Sequence, residues 1–252
     1  MVYGLWLSAD GMLAEQYRQT VIANNLANVD TPGFKPDRVA FAERLSESTQ
    51  GGSLGARHPV LDPSTGGLFG RPVYTDYSQG GLIPSSNPLD VAVLGDGFLT
   101  IRTPEGTRYT RDGRLTIDAN GTLRHVASGG AVVDAQGQPL VLDPSAPDLT
   151  KIDENGRVSQ RGRAVGELAV ANFKDPQQLE KIGQNLYSGD ELRVAKADSP
   201  VKQFVYEASG AEPTTALVDM ISATRAYEMN ASLIGMQDES LGRLINEVGR
   251  IG

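Results

Sequence analysis

Leu217-Val-Asp-Met220-Ile-Ser-Ala-Thr-Arg225-Ala-Tyr227-Glu228-Met-Asn230-Ala231-Ser-Leu-Ile234-Gly-Met-Gln-Asp-Glu-Ser-Leu241-Gly-Arg-Leu-Ile245-Asn-Glu-Val248 is the stretch whose reading decides the fold. Met220, Tyr227, Ile234, Leu241 and Val248 stand seven apart, and Leu217, Ala231 and Ile245 run beside them at the companion spacing. A seven-residue apolar repeat makes a narrow stripe on one helix face, and such a stripe needs another helix against it. The chain opens with a second segment of the same kind, in which Leu5, Met12 and Leu26 share a face with Ile22 and Val29. Both ends therefore read as helices seeking partners. Gly235, Gly242 and Gly249 flank the C-terminal stripe and are expected to let backbones approach closely, although each weakens a free helix by about 1 kcal/mol.

Between these ends the text changes character. Residues 2–28 carry no proline, and the helix they predict stops at Thr31-Pro32-Gly33-Phe34. Proline at the second position presets φ and glycine at the third tolerates positive φ, the pattern of a type II turn that aims Phe34 back at an apolar surface. From Ser46 to Asn87 recurrent Gly-Gly pairs and prolines leave no helical period, so this part reads as an extended connector in which a short strand such as Val73 to Tyr77 can pair. Residues 88–207 read as strands closed by turns at Thr103-Pro-Glu-Gly106, Asp118-Ala-Asn-Gly121 and Asp153-Glu-Asn-Gly156. Pro213 then opens the last helix as a first-turn proline. The expected fold is α+β, with the terminal helices pairing as an antiparallel coiled coil around a central, mostly antiparallel β domain. Its parts are an N-terminal helical segment at 1–45, a connector at 46–87, the β domain at 88–207 and the C-terminal heptad helix at 208–252.

Composition narrows the function. The 39% apolar content is thin for 252 residues, which points to surface buried outside the monomer, and a net charge of −8 argues against nucleic acid as a partner. Residues 1–45 hold five acids and four bases and residues 213–252 five acids and three bases, so the ends are nearly neutral and suit dense packing among copies. Cysteine is absent and histidine occurs only at His58 and His125, which removes thiol chemistry and leaves little for a metal site. The Asp-x-Asn-Gly turns have calcium-like spacing but no closing acid, and Gly95-Asp96-Gly97 leads into a strand where a phosphate loop needs a helix, so both read as plain turns. His58 and His125 read as solvated surface residues. No catalytic, cofactor or metal site is expected. The opening residues lack a basic n-region and are not a cleaved signal peptide, and no run of eighteen apolar residues exists, so membrane insertion is not expected either.

The most informative cluster is Ala23-Asn24-Asn25-Leu26-Ala27-Asn28-Val29-Asp30-Thr31-Pro32-Gly33-Phe34-Lys35. Its asparagines are poor in an isolated helix because their amides compete for the backbone. Asn24 and Asn28 lie one turn apart and can offer paired donors and acceptors to a neighbour. This segment resembles the N-terminal signature of the bacterial flagellar axial proteins, the rod and hook family. Asn87-Pro-Leu-Asp-Val-Ala-Val-Leu-Gly-Asp-Gly-Phe98, with Tyr109-Thr-Arg-Asp-Gly113, resembles the start of that family's β domain. Arg225-Ala-Tyr-Glu-Met-Asn230, with Asp238-Glu-Ser-Leu241 and Leu244-Ile-Asn246, resembles its C-terminal helix.

One departure stands out: Glu212-Pro213-Thr214 occupies the place where many relatives carry Ser-Asn-Val. The length and the Asn-Pro-Leu-Asp wording look most like a proximal rod subunit, with the distal rod close behind and the longer hook less so. The resemblance implies a structural subunit of the basal-body rod that transmits motor torque to the hook. Its terminal helices order only when stacked in the growing shaft, and its partners are copies of itself and other rod and hook axial proteins. The resemblance also implies delivery to the periplasmic rod by the flagellar type III export apparatus. The rival reading is a cell-wall-associated enzyme or binding β module with helical arms, but the only tryptophan, Trp6, lies in the N-terminal helix, away from the β region.

Overall fold

The computed structural model describes residues 2–43, 68–70, 73–189, 194–196 and 199–248, and side chains are described at most of these positions. His58 and Gly249 lie outside the described residues, and the side chain of Val248 is likewise outside them. The chain forms two compact units, one of Met1–Leu26, Asp37–Tyr74 and Pro213–Gly252, the other of Ala27–Pro36 and Thr75–Glu212.

The first unit contains the two long helices, α1 at Val2–Ala27 and α2 at Pro213–Val248. Proline opens α2, where its missing N–H has no helical partner to lose. The helices pack against each other and run antiparallel: a Cβ placed at Gly4 would lie 3.0 Å from Gln237 Nε2, and one at Gly11 3.0 Å from Asn230 Nδ2. Extended along both helices, that register brings Arg18 level with Ala223, and Arg18 also reaches Asp219 at 3.8 Å.

The facing residues of α2 alternate four and three apart through Ala216, Met220, Ala223, Tyr227, Asn230, Ile234, Gln237 and Leu241, all at least partly buried, with Ala223 fully so. Those of α1 follow the same rhythm through Gly4, Ser8, Gly11, Glu15, Arg18, Ile22 and Asn25. Met220, Tyr227, Ile234 and Leu241 of the seven-spaced stripe therefore lie on the facing side, but its companion row does not. Leu217 and Ile245 are 50% and 70% exposed and Ala231 is exposed as well. The companion positions are the small or polar Ala216, Ala223, Asn230 and Gln237, the last two meeting Gly11 and Gly4, where the missing side chain leaves room for an amide. The close-approach glycines are likewise Gly4 and Gly11 of α1; a Cβ at Gly235 or Gly242 would meet nothing within 4 Å.

The second unit is antiparallel throughout its described pairings. Its main sheet centres on Phe98–Thr103, which pairs with Gly106–Thr110, Ala131–Val132 and Val170–Phe173. The predicted hairpins at 103–106, 118–121 and 153–156 are all present, and in the last two the leading aspartate carboxylate accepts from the backbone N–H groups two and four residues on. Leu89, Val91, Val93, Leu99, Ile101, Leu115 and Leu123 form an apolar core. Phe98, Tyr109, Phe173, Leu179 and Tyr187 form a second, largely aromatic one, with Tyr77 against it. At the end of this unit the short strand Val205–Glu207 pairs with Leu82–Pro84, and it carries the residue on which the N-terminal turn is built.

Candidate functional site

Thr31-Pro32-Gly33-Phe34 is a type II turn: the Phe34 N–H donates to Thr31 O at 3.2 Å and Gly33 has φ +67. Pro32, Gly33, Phe34 and Lys35 are all buried within the β unit. The Gly33 N–H donates to Glu207 O at 2.8 Å, and a Cβ at Gly33 would fall 2.4 Å from the Arg111 carbonyl carbon, so the turn lies flat on another backbone. The ring of Phe34 does turn inward, 7% exposed, with Lys181 Nζ 4.9 Å from its centroid.

Several groups hold this turn from other parts of the chain. Lys181 Nζ donates to Lys35 O at 2.6 Å and Asn185 Nδ2 to Pro32 O at 2.5 Å, both from the hairpin Glu180–Gly183 and Leu186–Ser188. The Gly210 N–H donates to Phe34 O at 2.8 Å and Ser209 Oγ to Asn28 O at 2.9 Å. Lys35 is fully buried; its ammonium donates to Glu207 Oε1 at 2.5 Å and to Ser78 O at 2.7 Å. Burial pushes the Lys35 pKa down from its ordinary value, and the Glu207 carboxylate opposes that shift.

The asparagines divide between the two units. Asn25 pairs with the backbone of Asp37 in both directions, Nδ2 donating to Asp37 O at 2.7 Å and the Asp37 N–H donating to Asn25 Oδ1 at 2.9 Å. Asn28 Oδ1 accepts from Thr31 Oγ1 at 3.2 Å, which braces the turn. Asn24 is exposed on α1 and Leu26 is half-buried beside Asn25. The structure thus gathers Asn28, Thr31, Pro32, Gly33 and Phe34 into one seat and places Asn25 at a separate clamp.

On α2 the expected residues also separate. Met220, Tyr227, Asn230, Ile234 and Leu241 face the seam, while Leu217, Arg225, Glu228 and Ile245 point away from it. Trp6, Leu13 and Tyr17 on α1 are 66%, 63% and 48% exposed, and Val218, Ile221, Met229, Leu233 and Met236 on α2 are 43–63% exposed. Meanwhile Glu15 Oε2 and Gln237 Oε1 are buried in the seam without hydrogen-bond partners. Met220, Tyr227, Ile234 and Leu241 share the inside with small and polar residues, and a second set of large apolar side chains lies outside, where a helical hairpin stable by itself would carry polar ones.

His125 is a correction: it is fully buried, with Nδ1 2.8 Å from Ser128 Oγ and Nε2 3.4 Å from Asp112 Oδ2. Asp112 also takes three bonds from Arg114, two from the guanidinium at 3.1 and 2.9 Å and one from the backbone N–H at 3.1 Å. Burial raises the Asp112 pKa, but the neighbouring His125 and Arg114 outweigh it and hold the carboxyl below its usual range. With both Asp112 oxygens committed to Arg114 and the imidazole sealed inside, the Ser128, His125 and Asp112 series serves as a structural brace. Among the described residues no group of acids and histidines is placed to hold a metal.

Sequence reasoning missed Glu207, Arg111, Lys181 and Asn185. The one available signal was that a buried Lys35 after a hydrophobic turn requires a carboxylate partner, but nothing along the chain says which of 31 acids it is.

Comparison with known proteins agrees with this geometry. The family "Flagella basal body rod protein" matches residues 7–35, which take in α1 from Leu7 onward and the turn. "Flagellar hook protein FlgE/F/G D1 domain" matches residues 92–160 in the β unit. "Flagellar basal body rod FlgEFG protein C-terminal" matches residues 202–247, from just before Glu207 through α2. The chain is similar to the flagellar basal-body rod protein FlgG of Buchnera aphidicola subsp. Baizongia pistaciae, 33% identical over 97% of this chain and 99% of that one. It is similar also to FlgG of Bacillus subtilis, 32% identical over 98% and 99%, and of Borreliella burgdorferi, 34% identical over 96% and 97%. Full-length likeness at this level, with all three matched regions in chain order, means that the chain belongs to the flagellar basal-body rod protein family and is a structural subunit of the rod.

Proposed function

We propose that this subunit joins the rod through the outward apolar face of the α1–α2 pair, with the two helices wound as an antiparallel coiled coil. The observation that carries the reading is the apolar outer face of the helix pair: Trp6, Leu13, Val218, Met229 and Met236 lie outside, while the buried Glu15 Oε2 and Gln237 Oε1 lack hydrogen-bond partners. Covering each such side chain contributes about 1.5–3 kcal/mol, so a few of them per contact outweigh the ordering of a helix that is marginal alone. Contacts between different faces of identical subunits do not close and so generate a helical shaft. Such a shaft carries torque through many buried contacts in parallel and needs no active site.

The assembly segments are those of the sequence reading, 1–45 and 208–252, and the partners are copies of this chain together with other rod and hook axial proteins. Delivery to the periplasmic rod proceeds through the flagellar type III export apparatus without cleavage of the N-terminus, a route suited to a chain with no cysteine to trap in a disulfide. Met229→Asp tests the assembly reading. Met229 is 63% exposed, so the purified variant keeps its stability, yet cells relying on it should be non-motile and lack complete rods. Normal motility with Met229→Asp would remove this face from the interface.

A further inference from the structure

Glu207 lies between two buried cations. Its Oε1 accepts from Lys35 Nζ at 2.5 Å and from the Gly80 N–H at 2.8 Å. Its Oε2 has no hydrogen-bond partner and sits 3.6 Å from Arg111 Nη1, which together with Arg111 Nε is buried and also lacks one. Lys35, Arg111 and Glu207 are 0%, 2% and 0% exposed. Glu207 is thus the foremost counter-charge of both cations in a water-poor place, with Asp76 acting on Lys35 and Asp96 on Arg111 beside it. The Arg111 guanidinium has a support besides the turn, stacking 4.7 Å from the centroid of Phe98 in the aromatic core. Lys35, by contrast, arrives on the short Ala27–Pro36 segment.

We propose that Glu207 is a carboxylate shared by turns: Lys35 holds it when the Thr31–Lys35 turn is seated, and Arg111 closes on it when the turn lifts. The unpartnered atoms are the ones this exchange requires. Oε2, Nη1 and Nε are those a paired guanidinium and carboxylate would use, and Nη1 and Oε2 stand less than 1 Å beyond hydrogen-bond length. Lifting the turn therefore leaves no stranded charge in the β unit, which stays folded while residues 31–35 detach. The inference deepens the assembly reading and rests on it: a chain delivered unfolded, with helices ordered late, gains from a β unit that is stable before its N-terminal latch closes.

Amide hydrogen exchange on full-length monomeric protein tests the latch. Lys35→Met should raise exchange at Gly33, Phe34 and Gly210 by about 10- to 100-fold, the factor for losing a charged hydrogen bond, with exchange at Leu99, Ile101 and Leu115 unchanged. Arg111→Met should do the opposite, slowing Gly33 and Phe34 relative to those core amides, because Lys35 then holds the carboxylate without a competing cation. Lys35→Met combined with Arg111→Met should speed core and turn together, since Glu207 is then buried alone. The proposal is overturned if Lys35→Met by itself speeds the core as much as the turn, or if Arg111→Met loosens the turn. None of these readouts involves assembly, so they are decided separately from the motility of Met229→Asp.

Discussion

Gly33→Ala should cost the β unit more than any glycine replacement that shares only its backbone angle. Gly33 has φ +67, and a methyl there would lie 2.4 Å from Arg111 C, 2.6 Å from Arg111 O and 2.6 Å from Asp112 N. An L-residue held in that region costs about 1–2 kcal/mol, and overlap with backbone that cannot rotate away adds about 1–3 kcal/mol, for a total of about 2–5 kcal/mol. Gly129 is the internal control. Its φ is +66 but a Cβ there meets nothing within 4 Å, so Gly129→Ala carries only the angular part. In urea denaturation with a slope of about 2 kcal/mol per molar, Gly33→Ala should lower the midpoint by about 1–2.5 M and Gly129→Ala by about 0.5–1 M. If the variant relieves the overlap by lifting its turn, the deficit appears instead as fast amide exchange at Phe34 and Gly210. Equal midpoints for the two variants, with exchange at Phe34 and Gly210 unchanged, would show that the turn does not rest on the Arg111–Asp112 backbone.

Tyr227→Asp places an unpaired charge in the helix seam at a cost of several kcal/mol; motility should be lost while the urea midpoint of the β unit is unchanged, and normal motility would contradict the seam. In the isolated monomer, amides of α1 and α2 should exchange far faster than those of Leu99 and Ile101, because neither helix buries enough by itself; comparable protection across both would refute this. For Asp112 the folded pKa is depressed, so its contribution to stability is complete above the unfolded value of about 3.9 and is lost as pH falls through the lower folded value. Thermal melts between about pH 2 and 5 should accordingly be less pH-dependent in Asp112→Asn than in the parent, at lower overall stability. Mass spectrometry of subunits taken from basal bodies should find the N-terminus uncut, and a start well inside residues 2–25 would point to a different export route.

Much of this architecture was legible in the chain because its local signals are strong and do not conflict. Pro213 opens α2, the absence of proline before Pro32 leaves α1 unbroken, and the Asp-x-Asn-Gly turns fix their hairpins. Thr31-Pro-Gly-Phe gave its turn type and the inward Phe34 because proline and glycine constrain φ directly. What stayed hidden depends on partners remote in sequence. Hydrophobicity points to Leu217 and Ile245 as the row beside Met220 and Tyr227, whereas Gly4 and Gly11 on the facing helix receive Gln237 and Asn230. Likewise Lys35 finds its carboxylate 172 residues away, and His125 is buried by elements that no local pattern around it announces.

The central claim, that the outer apolar face of the helix pair is the surface buried on entering the rod, is tested most directly by chemical accessibility. The chain has no cysteine, so a single one reports without background. Met229→Cys and, as a control on an exposed β-unit turn, Asn155→Cys are labelled with a maleimide in purified monomer and in isolated basal bodies. The account predicts that Met229→Cys reacts readily in the monomer and at least about tenfold more slowly in the rod, a change equivalent to about 1.4 kcal/mol of protection, while Asn155→Cys reacts alike in both. Equal labelling of Met229→Cys in monomer and rod would contradict it.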